Sequence, residues 1–106
     1  MSFFKTPMYR NRKLLDLAKH GEQCLMCNQY RPLSMAHSNQ SRHGKSAGKK
    51  SSDAAIAMLC LECHDGLDNG SRWVKAERVE RWNEAFIKTM IWLIENEYLI
   101  VNDRKL

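Results

Sequence analysis

Residues 53–65 read DAAIAMLCLECHD, in which a short apolar run leads directly into the pattern Cys60-x-x-Cys63-His64. The run predicts a buried strand or another extended segment, because it is too short for its periodicity to separate the two. A helix is predicted to begin near Cys60 and to end near the Leu-Asp-Asn-Gly turn at residues 67–70. This part of the chain therefore predicts an extended segment followed by a helix, with two cysteines at the junction.

A second Cys-x-x-Cys pair lies upstream, at Cys24 and Cys27. The 32 residues between the two pairs exceed the roughly 15–20 of a common zinc ribbon, so a segment is inserted between them. Each pair presents two sulfurs on one side of a tight turn, and Zn²⁺ favours four thiolates in a tetrahedron. We therefore predict a structural Zn²⁺ bound by Cys24, Cys27, Cys60 and Cys63.

Two other interpretations of the cysteines rank below a zinc site. The Cys60-x-x-Cys63-His64 pattern also matches the attachment site of a covalent haem, but the other cysteine pair would then be unexplained. A redox Cys-x-x-Cys centre requires a βαβ context, which this sequence does not predict. Both interpretations leave part of the pattern without a role.

The charge of the chain is distributed unevenly along its length. The net charge is +5, yet residues 1–50 contain ten Lys or Arg against two acids, whereas residues 51–106 carry a small net negative charge. A basic half joined to a mildly acidic half is typical of a protein that binds a polyanion on one side. Solvated lysines without any partner would give the same imbalance, so charge alone leaves both interpretations open.

The remaining segments predict a single α+β domain over residues 1–106. Apolar periodicity predicts helices at residues 9–20 and 72–95, the second with Ser71 as its N-cap. Residues 31–38 predict a short strand, and the polar residues 38–52 predict a surface loop. The apolar positions of the long helix that we expect to form the core are Val79, Trp82, Phe86, Met90 and Leu93.

The sequence predicts no membrane span and no export signal. Lys88, Glu95 and Glu97 interrupt the most apolar segment, residues 85–101, and the first residues contain no long apolar run. We therefore expect a cytoplasmic protein, in which paired thiols stay reduced and more often bind metal than form disulfides.

In their order along the chain, these motifs resemble the HNH, or ββα-metal, endonucleases. The matching residues are Cys24-Leu-Met-Cys27, Met35-Ala36-His37-Ser38, Gly44, Gly48, Asp53 and Cys60-Leu-Glu-Cys63-His64. The run GKKSSDAAIAMLCLECHDGLD at residues 48–68, with Ala-His upstream, resembles more closely the small phage and prophage nucleases called YbcO-like. The resemblance covers about residues 20–70 and implies a zinc-stabilised ββα-metal motif flanked by an N-terminal helix and a long C-terminal helix.

The resemblance implies a metal-dependent DNA endonuclease of phage or prophage origin in a bacterial host cell. His37 would be the general base that takes a proton from the attacking water, since imidazole suits that role near neutral pH. His64 would bind one catalytic divalent cation, such as Mg²⁺, Mn²⁺ or Ni²⁺, that stabilises charge on the phosphate. The residues expected to neutralise backbone phosphates are Arg42, Lys45, Lys49 and Lys50.

The chain departs from the family pattern at two positions. Ala36 stands where many HNH enzymes have an Asp or His that helps to bind the metal. The family's Asn, which orients the catalytic histidine, has no clear match, and Asp53 is the nearest polar candidate; a solvent-facing strand start is an equal alternative for it. We expect His43 to be a mobile loop residue, with a replacement ligand as the alternative, and Asp65 to be a surface residue.

Two other classes of function stay open at this point. Ala36 and the missing Asn are also compatible with a zinc-stabilised nucleic-acid-binding module that has lost catalysis. A structural zinc protein that binds another protein through its long helix is the third alternative. DNA is the predicted partner, with RNA or structured nucleic acid as alternatives, and the oligomeric state is open between monomer and homodimer.

Overall fold

A computed structural model describes residues 8–70 and 72–106, so the predicted cap Ser71 lies outside the described residues. The helices and strands are, in chain order, α1 (Arg12–Asp16), β1 (Leu33–His37), β2 (Ile56–Cys60), α2 (Leu61–Asp68) and α3 (Lys75–Glu95). Short 3₁₀ turns lie at Leu17–His20, Ser41–His43 and Asp103–Lys105. The predicted α+β class is confirmed, with one two-stranded sheet and three helices in the described chain.

The two strands form an antiparallel pair, with Leu33 opposite Cys60 and His37 opposite Ile56. All five residues of β2 are buried, because both faces of this strand are covered. Successive side chains of a strand point to opposite faces. Accordingly Ala57 and Leu59 pack in one core cluster with Trp82, whereas Ile56 and Met58 pack in a second cluster with Leu93. The continuous apolar run at residues 56–60 is thus a strand of the core.

Helix α3 packs against the sheet and also satisfies its backbone. Thr89 is fully buried; its hydroxyl accepts the Met58 N–H (2.9 Å) and donates to the Ala85 carbonyl (2.7 Å). The indole N–H of Trp82 donates to the Ala36 carbonyl (3.1 Å). A buried backbone group without a partner is costly, so these bonds fix the position of α3 along the strands.

The prediction of a surface loop over residues 38–52 is wrong at both ends. Ser38 at one end, and Ser51 and Ser52 at the other, are buried. The guanidinium of Arg10 donates to the carbonyl oxygens of Lys50 (3.0 Å) and Ser51, which closes the N-terminal segment over the end of the loop. The polar composition of these residues predicted exposure, but at residues 50 and 51 the hydrogen bonds from Arg10 hold the N-terminal segment over the loop.

The helix boundaries differ from the prediction at their N-terminal ends. Helix α1 begins at Arg12 because the side chain of Asn11 accepts the Leu14 N–H (3.1 Å) and caps it. The long helix begins at Lys75 and ends at Glu95, where the sequence predicted its end. None of the described helices is both long and apolar enough to cross a membrane.

Candidate metal centre and histidine site

The four cysteines come together at the junction of β2 and α2. Their sulfur atoms all lie within 4.8 Å of one another, and the Sγ atoms of Cys27 and Cys60 are 3.8 Å apart. Thiolates at tetrahedral Zn–S distances of about 2.3 Å lie about 3.8 Å apart, which the Cys27–Cys60 pair matches, and the other sulfurs lie within 1 Å of that separation or closer. All four thiols are free of disulfides. The cluster can therefore hold a metal ion such as Zn²⁺, as the sequence predicted.

Backbone hydrogen bonds shape the turn that carries Cys24 and Cys27. The Asn28 N–H donates to the Cys24 carbonyl (2.9 Å), and Asn28 adopts the left-handed conformation with φ 66° that closes the turn. The Leu25 N–H donates to the carbonyl of Met58 (3.1 Å), which fastens the turn to β2. The first cysteine pair is thereby held beside the strand that leads into the second pair.

The thiols of the cluster differ in pKa for identifiable reasons. Burial works to raise the pKa of Cys24, but backbone N–H groups of Cys27, Cys60 and Met26 outweigh it and lower that pKa to about 7. Burial, followed by the charge of Cys24, raises the pKa of Cys63. A bound divalent cation stabilises all the thiolates together, so metal binding to such a cluster is coupled to proton release.

His37 at the end of β1 makes a short contact with an acidic side chain. Its Nε2 lies 2.7 Å from Oδ1 of Asp53, whose side chain is only 5% exposed. The backbone N–H of Asn11 donates to Oδ2 of Asp53 (2.7 Å), and Arg10 lies 3.3 Å from Oδ1. Asp53 is therefore a buried partner of His37, and the alternative of a solvent-facing strand start is wrong.

The charge of Asp53 determines which nitrogen of His37 carries the proton. Burial opposes ionisation of Asp53, but the hydrogen bonds from His37 and the Asn11 N–H, with the charge of Arg10, lower its pKa below the usual value. Asp53 is thus a carboxylate at neutral pH and accepts a hydrogen bond from the Nε2–H group of His37. The Nδ1 of a neutral His37 then keeps its lone pair and can accept a proton.

Asp53→Asn is expected to lower the free energy of unfolding by about 2 kcal/mol at pH 7, because it removes a buried charge and places an NH2 donor where one of the two carboxylate oxygens accepts hydrogen bonds. Urea unfolding of the metal-loaded protein measures this loss. Asp65→Asn is the matched control, since Asp65 is exposed and, within the described residues, its side chain bonds only Asn69 one helix turn later; its effect should stay within about 0.5 kcal/mol. Equal losses in the two variants would contradict the structural role of Asp53.

His64 on α2 faces two residues that the sequence analysis did not single out. Its Nε2 lies 3.2 Å from Oδ2 of Asp68, one helical turn later, and its Nδ1 lies 3.4 Å from the hydroxyl of Ser34. The other oxygen of Asp68 accepts the side-chain N–H of Asn39 (2.8 Å). The i, i+4 spacing of a His and an Asp on a predicted helix was the sequence signal for this pair.

Nitrogen and carboxylate donors on one helix face can bind a divalent cation together. Ligands at adjacent octahedral positions about 2.1 Å from an ion lie about 3 Å apart, close to the separation of the His64 and Asp68 donor atoms. Over residues 8–70 and 72–106, no third His, Cys, Asp or Glu lies near enough to complete a cluster with them. Ala36, which stands where many HNH enzymes have a metal-binding Asp or His, is fully buried.

His43 is anchored by specific contacts. Its Nδ1 lies 2.6 Å from the hydroxyl of Ser38, and its ring packs on Trp82 at 5.4 Å between centroids. Burial, with the charge of Arg42, lowers the pKa of His43 and favours the neutral ring. The expectation of a mobile loop histidine is therefore wrong, because this side chain fastens the loop to α3.

A groove of about 870 Å³ lies between the loop after β1, the end of α2 and the first turns of α3. Of the four predicted phosphate-binding residues, Arg42 and Lys45 line it, while Lys49 and Lys50 are exposed elsewhere in the loop. Lys75 and Arg78 in the first turn of α3 also line the groove, and the sequence analysis did not identify them. Asp68 also lines the groove, so the His64–Asp68 pair lies beside it.

No family model, no curated protein and no solved structure matches this chain. The resemblance to HNH nucleases therefore depends on the order of the sequence motifs alone.

Proposed function

We propose that the protein is a metal-dependent endonuclease of the HNH type that hydrolyses phosphodiester bonds in DNA. The observation that carries the proposal is the contact between Nε2 of His37 and the buried carboxylate of Asp53. A carboxylate that orients an imidazole and leaves its second nitrogen free is a recurrent arrangement for a general base.

In the proposed reaction, Nδ1 of His37 takes a proton from a water molecule as its oxygen attacks the phosphorus. The bond from phosphorus to the 3′ oxygen breaks, and the leaving oxygen takes a proton from solvent water. The Asp53 carboxylate keeps the proton on Nε2 and stabilises the imidazolium that forms. The products are a 5′ phosphate and a 3′ hydroxyl.

The catalytic cation would be held by His64 and Asp68, whose donor atoms fit two adjacent positions of an octahedral ion. When bound, such an ion stabilises negative charge on the phosphate and on the leaving oxygen. Mg²⁺ and Mn²⁺ retain several water molecules in phosphate-processing sites, so two protein ligands suffice to place one. The remaining positions of the ion would be filled by water or a phosphate oxygen.

The groove supplies the surface on which we propose that the DNA backbone lies. Its two walls carry Arg42 and Lys45 on one side and Lys75 and Arg78 on the other. Phosphate contacts of this kind give binding that falls with salt and depends little on sequence. The position of Asp68 in the groove connects this surface to the proposed cation site.

Lys75→Glu is expected to weaken binding to short duplex DNA about tenfold and to lower the slope of log affinity against log salt by about 1. The measurement is fluorescence anisotropy, in a His37→Ala background so that the DNA stays intact. Lys105→Glu is the matched control, because Lys105 is an exposed residue outside the groove and the charge change is identical. The same loss in both variants would contradict a specific role for the groove.

A nicking assay on supercoiled plasmid tests the function itself. We expect cleavage with Mg²⁺, Mn²⁺ or Ni²⁺, none with chelator under conditions that leave the cysteine-bound metal in place, and none in His37→Ala. The second candidate is a nucleic-acid-binding module without catalysis. Two observations favour it: Ala36 is buried, and in the described chain no third protein ligand joins His64 and Asp68 to bind a cation. Salt-sensitive binding with no cleavage under any of these metals would select that candidate.

A further inference from the structure

Helix α3 has a second apolar face, which the sheet does not cover. Trp82, Ala85, Thr89 and Leu93 are buried toward the strands. On the outer side, the exposed apolar residues are Ile87, Ile91 and Ile94, at 52%, 49% and 58% exposure. Their spacing of four and three residues places them in one stripe along the helix.

This stripe is more than the scattered apolar exposure of an ordinary surface. A helix that packs on a core normally presents polar residues on its opposite face. Beyond the end of α3, the chain adds Ile100 and Val101, which are 79% and 70% exposed. An exposed apolar patch such as the Ile87, Ile91 and Ile94 stripe marks an interaction site in soluble proteins.

The charges beside the stripe are complementary to those of a second copy. Lys88 and Glu95 are seven residues apart, so they lie on the same flank of the helix, two turns from each other. If two α3 helices pack antiparallel with Ile91 against its own copy, Ile87 meets Ile94 and Lys88 meets Glu95. In the described part of the chain, neither Lys88 nor Glu95 forms an ion pair. Each is thus available to a partner.

We propose that two copies of this chain form a symmetric dimer through the outer faces of α3, packed antiparallel about Ile91. An antiparallel helix pair has the twofold symmetry of most homodimers, in which the same patch serves both subunits. The pairing buries the stripe from both copies and forms two equivalent Lys88–Glu95 ion pairs. This proposal is independent of the nuclease function, because none of its residues belongs to the site described above.

Sedimentation velocity over a concentration series measures the dimer directly. We expect the native protein to shift from monomer to dimer as its concentration rises, and Ile91→Lys to stay monomeric throughout. Val74→Lys is the matched control, since Val74 is 70% exposed and lies before the first turn of α3; it should dimerise as the native chain does. A native chain that is monomeric at every concentration overturns the proposal, as does an Ile91→Lys variant that still dimerises.

Charge exchange tests the antiparallel register. Lys88→Glu and Glu95→Lys should each raise the dimer dissociation constant at least about tenfold, because each places like charges opposite one another. The double variant restores both pairs with reversed sign, and its dissociation constant should return to near the native value. A double variant as weak as the single ones overturns this register.

Oxidative cross-linking of cysteine variants tests the orientation. Ile91→Cys should form a disulfide with its own copy, whereas Ile87→Cys should cross-link only when mixed with Ile94→Cys. The metal-loaded native protein controls for the four cluster cysteines and should not cross-link. Self-pairing of Ile87→Cys without Ile94→Cys indicates a parallel arrangement and contradicts the proposal.

Discussion

Cys27→Ala is expected to abolish stoichiometric metal binding and to leave most of the chain unfolded at room temperature. Structural Zn²⁺ sites bind with about 10–16 kcal/mol, whereas a small domain has a total stability of about 5–15 kcal/mol. Cys27 is the least buried of the four cysteines, so its truncation removes little packing. Far-ultraviolet circular dichroism and metal content by atomic spectroscopy are the two measurements.

Cys27→His separates the loss of a metal ligand from the loss of a side chain. Histidine is a common fourth ligand of Zn²⁺, so this variant should retain about one metal ion per chain and a large part of the native fold. Cys27→Ala and Cys27→His with equal stability would contradict a metal role for the cluster. Chelation of the native protein should reproduce the alanine phenotype, because a metal-coupled fold depends on the ion itself.

His37→Ala is expected to reduce metal-dependent DNA cleavage by about 10²- to 10⁴-fold, the usual contribution of a general base. The variant removes the nitrogen that we propose as the proton acceptor, while the four cysteines that could hold a metal are other residues. Single-turnover nicking of plasmid gives the rate without interference from product release. Metal content and the unfolding midpoint show whether the fold is intact.

His20→Ala is the matched control for this loss. His20 lies in the 3₁₀ turn after α1 and stacks on Tyr98, away from the Asp53 contact of His37. The His20→Ala variant should cleave DNA at the native rate. Added imidazole should restore part of the His37→Ala activity, because the small molecule can occupy the vacated position next to Asp53. Native activity in His37→Ala would exclude His37 as the base.

The sequence predicted the elements that depend on local chemistry. The Cys-x-x-Cys pairs predicted the cluster because two cysteines three residues apart share one turn, whatever the rest of the chain does. The strand at residues 56–60 and the long helix to Glu95 followed from apolar pattern. The resemblance also directed attention to His37 and Asp53, but it left Asp53 undecided between a partner and a solvent-facing residue.

Prediction was weakest where residues distant in the chain cover polar residues. Ser51 and Ser52 are polar and follow a basic loop, yet Arg10 and the N-terminal segment cover them. His43 was expected to move freely, but Ser38 and Trp82 hold it. The polar composition of a segment shows that water can solvate it, but it contains no information about which distant residue contacts that segment in the fold.

By itself the sequence determined the two cysteine turns, a buried extended segment before Cys60 and the core-facing side of α3, since spacing along a helix, strand or turn places side chains relative to their neighbours. Only the tertiary structure decided that Asp53 contacts His37 across 16 positions of the chain and that Lys75 and Arg78 face Arg42 across a groove. It also decided which apolar face of α3 stays exposed. These are contacts between segments, and they depend on how the strands and helices pack.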